Sequence, residues 1–177
     1  ISTNQIAERA GVTVPALYRY FPNKYAVLNA LGARLMDTQN QAFMHWHETH
    51  VAGQPAAAMM DSLEELLHVT YTTTRDMVGG VEIMHGMEAL APLQAVRLES
   101  HWVVTELFAQ LWAEQYGITF TEEIGNRARI AVDLGFTAVR IALEDPRLEP
   151  QFVLREGALA LRLYLAQIAR DVGVELN

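Results

Sequence analysis

Apolar residues recur at helical spacing along most of the chain and nowhere alternate over a useful length, so the pattern predicts an all-α protein. The first element follows Ser2 and Thr3, both N-cap types. Ile6, Ala7 and Ala10 fall at i, i+1 and i+4, which predicts a short helix with one buried stripe, ended by Gly11. Val12 is placed to plug the corner. Thr13 is the next cap, and Pro15 falls in the first turn of a second helix, where a missing N–H costs nothing. Ala16, Leu17 and Tyr20 or Phe21 make its buried stripe. Pro22 stops it, and Asn23 caps a long helix from about Lys24 to His50. Val27, Leu28, Leu31 and Leu35 form a stripe expected to pack on the first two helices. Beyond the polar stretch Thr38-Gln39-Asn40-Gln41 the stripe resumes at Phe43 and Trp46. The pattern thus makes one helix a member of two cores, a mechanical link between them.

Gly53 and Pro55 break the pattern. A helix is predicted from about Ala56 to Asp76, carrying Met59, Met60, Leu63, Leu66 or Leu67, and Tyr71, with Gly79-Gly80 after it. A short helix from Val81 to about Ala89 follows. Pro92 opens the next, with Val96, Val103, Leu107, Phe108, Leu111 and Trp112, and Gly117 ends it. Thr121 with Glu122 and Glu123 starts another, the acids suiting its first turn, and it stops near Asp145-Pro146. The last runs from about Pro150 to Val172. Two stripes stand out in these final helices. Ala131, Gly135, Ala138 and Ala142 permit close approach of another helix, while Leu154, Leu161 and Leu165, with Ala158 among them, form a long apolar row. Packing inside one subunit and packing between two subunits both fit these stripes.

The opening segment has the layout of a helix-turn-helix DNA reader. Thr13, Val14, Pro15, Ala16, Tyr18 and Arg19 lie at or near the N-terminal face of the second helix. Small side chains let such a helix enter a major groove. Hydroxyls and Arg19 reach phosphates or base edges, and Val14 or Ala16 can meet a thymine methyl. Thr3, Tyr20 and Lys24 sit where helix N-termini and flanking side chains meet phosphates. A glycine-turned helix pair alone is common in proteins that never bind DNA. Here the caps, the glycine, the run Leu17-Tyr18-Arg19-Tyr20-Phe21 and the stop Pro22-Asn23-Lys24 keep a fixed spacing. The segment resembles the DNA-binding motif of the tetracycline-repressor (TetR) family at Thr3, Ile6, Ala7, Ala10, Gly11, Val12, Leu17, Tyr18, Tyr20, Phe21, Lys24 and Leu28, with Thr13 where the family pattern has serine. The resemblance implies double-stranded operator DNA as partner, a homodimer formed by the last two helices as a four-helix bundle, and a small-molecule effector in the middle helices. It also implies a further helix ahead of Ile1, so residues 1–28 are expected to be a reader whose first helix is missing, and 29–177 a ligand-binding and dimerisation domain, with the helix 24–50 shared by both. A two-fold dimer suits a reader that spans half-sites roughly 34 Å apart. On this reading Ala131, Gly135, Ala138, Ala142, Leu154, Ala158, Leu161 and Leu165 are the expected dimer interface.

Charge changes the picture of the whole chain more than of the reader. The 177 residues carry a net charge of −8, which by itself argues against a DNA binder. Residues 1–28, however, hold Arg9, Arg19 and Lys24 against Glu8, and the negative charge belongs to the remainder. Such a protein repels DNA at large while its reader attracts phosphates, so it relies on docking two readers together. Cysteine is absent, which excludes a disulfide framework and a thiolate metal site and fits a cytoplasmic location. No stretch has the length and freedom from charge of a membrane span.

The middle helices carry no motif. Among residues that could line a pocket, Met59, Leu63, Met84, Trp102 and Phe136 are the expected apolar contacts, methionine suiting adaptable sites. His68, Tyr71, His85, His101 and Arg140 are polar groups able to orient a ligand, and Tyr71, His85 and Arg140 are the expected ones. For any single residue, filling a core is the more frequent role. His45, His47 and His50 cannot converge on one ion without bending their helix, so no metal or cofactor is expected. No phosphate loop and no hydrolase or zinc-protease signature occurs, and Glu64-Glu65 and Glu122-Glu123 diverge around their helices, so an enzyme is not expected. The reading is a ligand-responsive DNA-binding transcriptional regulator, a repressor released from a palindromic operator by a small molecule. Its rivals are a dimeric DNA-binding protein without a ligand, and a helical binding module or enzyme with an incidental helix-turn-helix pattern.

Overall fold

The computed structural model describes residues 2–55, 57–119 and 121–174. Among these residues it is all-helical: α1 (Thr3–Ala10), α2 (Val14–Tyr20), α3 (Lys24–His50), α4 (Ala57–Asp61), α5 (Leu63–Asp76), α6 (Gly80–Ala89), α7 (Ala91–Tyr116), α8 (Glu122–Glu144) and α9 (Pro150–Asp171). The predicted start at Ala56 lies outside the described residues. Local chemistry sets the boundaries. Ser2 and Gln5 form a reciprocal capping box, and Gly11 closes α1 in the left-handed region at φ 66°. Thr13 Oγ1 accepts from the Ala16 amide and Asn23 Oδ1 from the Ala26 amide, which start α2 and α3.

The predicted helix over 56–76 is two helices. Ser62 returns its hydroxyl to the Ala58 carbonyl, and Trp46 Nε1 on α3 donates to the Ser62 carbonyl at 3.0 Å. Both bonds sit at the junction of α4 and α5, where Ser62 itself takes φ −98° and ψ 7°.

Two hydrophobic cores are present. The larger joins Phe43 and Trp46 of α3 to Leu63 and Leu67 of α5, Phe108 and Trp112 of α7, and the inner faces of α8 and α9. The smaller gathers Leu35 and Met36 of α3 with Ile83, Met87 and Leu93, and Leu28 packs against it. The first half of α3 therefore packs on α6 and α7, a correction to the expected packing of Leu28 and Leu35 on the reader. Leu31 is exposed, as are Ala10 and Val12, so Val12 does not plug the corner. Of the pair Tyr20 or Phe21, Phe21 is the partly buried one.

The polar stretch between the two stripes of α3 is an anchor. Gln39 is buried and its Nε2 donates to Thr74 Oγ1 on α5 at 2.7 Å, while Ser100 of α7 donates to Asn40 at 3.1 Å. Thr74 in turn donates to the Thr70 carbonyl.

The small-residue stripe of α8 faces α9 and α5 of its own subunit. Ala131, Gly135, Ala138 and Ala142 are all buried, as are Leu154, Ala158, Leu161 and Leu165. A Cβ on Gly157 of α9 would lie 2.5 Å from the Ala138 Cβ, so the two helices cross where neither has a bulky side chain. All eight residues expected at a dimer interface thus pack within one subunit. The apolar side chains that α8 and α9 leave in solvent are Ile130, Leu134, Phe152, Leu159 and Leu163.

Candidate nucleic-acid interface and effector cleft

The reader is α1, the Gly11 turn and α2. Leu17 and Ala7 are buried and hold the two helices together. Thr3 Oγ1 and Tyr18 Oη lie 3.1 Å apart, tying the start of α1 to the end of α2 and bringing two of the predicted contact residues side by side. Thr13 spends its hydroxyl on the α2 cap, with its side chain still at the exposed edge. Pro15 and Arg19 are exposed, and Val14 and Ala16 are partly buried. Tyr20 is 78% exposed, unusual for so large an aromatic, and Lys24 lies at the start of α3 with Nζ 5.4 Å above the Tyr25 ring. Among the described residues, Arg9, Arg19 and Lys24 make no ion pair, so their charge is available to phosphates.

This geometry defines a helix-turn-helix protein with a positive, hydroxyl-rich recognition face on an otherwise acidic chain. Residues 1–31 match the family model for bacterial regulatory proteins of the tetR family. The opening segment is thus similar to the DNA-binding domain of that family, a match that supports a DNA-binding transcriptional regulator. Comparison with curated proteins gave no match. None of the described helices is long and apolar enough to cross a membrane.

Among the spaces in the remainder of the molecule, two share the wall around Gln39. An inner cavity of about 60 Å³ lies between α3, α5, α7, α8 and α9, walled by Phe43, Leu63, Leu67, Phe108, Leu161 and Phe136 among others. A larger cleft of about 480 Å³ lies between α3, α6, α7 and α8, lined by Met36, Gln39, Met84, Met87, Glu88, Arg97, His101, Asp133, Phe136 and Arg140. Gln39, Phe136 and Val139 are common to both.

Of the predicted ligand contacts, Leu63 lies on the cavity, Met84 and Arg140 on the cleft, and Phe136 on both. Met59, Tyr71, His85 and Trp102 line neither. Met59 is buried in the larger core, and Tyr71 is stacked under Arg75 at 5.3 Å. His85 pairs with Glu144 at 2.9 Å, and Trp102 is 44% exposed with Arg129 over its ring. Each of these four satisfies its packing or charge elsewhere.

The cleft's charges are arranged in pairs with one exception. Arg140 meets Glu88 at 3.5 Å and Glu144 at 3.2 Å. Asp133 takes Arg129 and His101 Nδ1, both at 2.7 Å. Burial pushes the His101 pKa down to about 4, against the opposing pull of Asp133, so the ring is neutral at neutral pH. A neutral imidazole facing a carboxylate presents its N–H, which places the proton on Nδ1. The Phe136 ring stacks on it at 4.1 Å. Burial also pushes the Asp133 carboxyl up, but hydrogen bonds from Arg129 and His101 outweigh it and hold the pKa low. Arg97 is the exception. Its Nε is buried with no hydrogen-bond partner, and Gln39 Oε1 is in the same state. Neither residue was singled out by periodicity. Gln39 had a legible signal all the same, since it stands four residues after Leu35 and four before Phe43 and so continues their buried stripe.

Proposed function

We propose that this chain is a TetR-family regulator, a homodimeric repressor released from a near-palindromic operator by a small molecule bound in its helical core. Residues 1–28 are the reader, with Thr3, Thr13, Val14, Pro15, Ala16, Tyr18, Arg19, Tyr20 and Lys24 as its DNA contacts. Residues 29–177 take the effector and the second subunit, and α3 is shared. The observation that carries the reading is α3 itself. It begins at Lys24, beside the reader, and is bonded through buried Gln39 to α5 at the wall shared by cavity and cleft. A ligand that moves the Gln39 turn moves a rigid rod whose other end carries the reader about 22 Å away. A coupling on the order of 1–3 kcal/mol is sufficient to change operator occupancy.

The supporting feature for a dimer is the solvent-facing row Ile130, Leu134, Leu159 and Leu163 on α8 and α9, apolar side chains that a folded monomer leaves wet. The test is selection of operator DNA from a random pool with the protein, then a small-molecule screen for release. Replacing Tyr20 and Lys24 by Ala is expected to abolish selection of the operator. Unchanged DNA affinity in that variant would place the reader elsewhere, and an operator complex that no small molecule weakens while ligands bind the core would remove the effector from the reading.

A further inference from the structure

We infer that the cleft between α3, α6, α7 and α8 takes a small amphipathic carboxylate, its head on Arg97, its apolar body over Met84, Met87 and Phe136, and a hydroxyl or amide N–H on Gln39. The inference rests on the ligand-responsive reading above and names the class of ligand.

The argument is one of unspent hydrogen-bonding capacity. Every other charge lining the cleft already has its counter-charge: Arg140 has Glu88 and Glu144, and Asp133 has Arg129. The guanidinium of Arg97 has no carboxylate in reach among the described residues, and its buried Nε has no acceptor. A buried donor of a charged group that lacks an acceptor is costly, and an anionic acceptor relieves the cost most. Gln39 uses its Nε2 on Thr74, and its Oε1 is buried and unmet, so it calls for a donor. Apart from these groups, His101 and Thr137, the walls are the thioethers of Met36, Met84 and Met87, Val139 and the Phe136 face, which suit a pliable apolar body. Phe136 also separates the cleft from the apolar cavity behind it, so a longer tail has space to enter once that ring turns. The amide that would meet the ligand is on α3, the helix that reaches the reader.

The experiment is isothermal titration calorimetry on the whole chain with octanoate, β-hydroxyoctanoate and octanamide, in wild type, Arg97→Gln, Arg97→Lys and Gln39→Leu, each checked by circular dichroism. Octanoate is expected to bind wild type on the order of tenfold or more tightly than octanamide, the size of a charge-assisted hydrogen bond. Arg97→Gln should remove that preference and Arg97→Lys keep part of it. The gain from the β-hydroxyl should vanish in Gln39→Leu. The inference is overturned if octanoate and octanamide bind wild type equally, if octanoate does not bind, or if folded Arg97→Gln binds octanoate as wild type does. Should Arg97→Gln fail to fold, the ratio on wild type decides. Operator release is read on the same samples. Arg97-dependent carboxylate binding that leaves DNA affinity unchanged upholds this site and refutes the ligand-responsive reading. Release by some other chemical class, and by no carboxylate, does the reverse.

Discussion

Two residues show how charge and burial set behaviour at the smallest scale. Lys24 is exposed, makes no ion pair among the described residues and lies beside the reader, its Nζ over the Tyr25 ring. As a phosphate contact, its replacement by Ala should weaken binding to all sequences alike and reduce the slope of log affinity against log salt by about 1, measured by fluorescence anisotropy across a salt series. A variant that lost affinity for one base position only, with an unchanged slope, would make Lys24 a base reader instead. His101 makes the opposite case, a titratable group kept out of water. Its folded-state pKa is about 4, below the ordinary 6.5, so acidification protonates the unfolded chain first. Its contribution to stability is therefore complete above about pH 6.5 and falls away as the pH drops toward 4, by about 2 kcal/mol between pH 7 and pH 5. Groups around it are Asp133 and Arg129 on α8 and Arg97 on its own helix, and Asp133 is held below the ordinary carboxylate range. Urea denaturation at the two pH values should show the loss in wild type. In His101→Asn, whose amide can still donate to Asp133, the pH-dependent part should disappear although the protein is weaker at both values.

At the scale of elements, the caps made the helices legible and the close crossings did not. Ser2, Thr13, Asn23 and Thr121 each accept the amide that starts a helix, and a residue of that type before an apolar run is visible in one dimension. The break at Ser62 was not visible, because no Gly or Pro marks it and its contact with Trp46 comes from another helix. The same holds for the cleft. Met84, Phe136 and Arg140 could be picked by residue type, whereas Arg97 and Gln39 matter because folding left one atom of each without a partner. The small residues of α8 were legible as a close-packing face, but their partner was not: α9 of the same subunit offers Gly157, which admits Ala138 where any Cβ would collide. Gly157→Ala should accordingly cost about 1–3 kcal/mol through overpacking at the crossing. Gly86→Ala is the control, since its Cβ would meet only Leu93 at 3.7 Å, an ordinary contact in a helix. That change should be neutral or stabilise by up to about 1 kcal/mol, read from the same denaturation curves. Equal effects would mean that the α8–α9 distance adjusts freely.

At the scale of the whole molecule, the argument turns on which face of α8 and α9 is left for a second copy. The buried face is committed: Leu165 is 1% exposed and lies in the larger core, so Leu165→Ala should lower stability by about 2–5 kcal/mol whatever the oligomeric state. The opposite face carries Leu134 at 41% and Leu163 at 60% exposed, and neither supports the fold of one subunit. Substitution of such positions ordinarily moves stability by no more than about 0.5 kcal/mol. If they meet their symmetry mates in a two-fold dimer, each charge introduced there is met by its own copy, because an isologous interface repeats every change. The Leu134→Glu, Leu163→Glu double variant should therefore sediment as a folded monomer where wild type sediments as a dimer. It should also lose operator affinity by a large factor, since a single reader on an acidic body keeps only half of the phosphate contacts and none of the gain from linking two. A double variant that remains dimeric and holds the operator would move the interface away from α8 and α9.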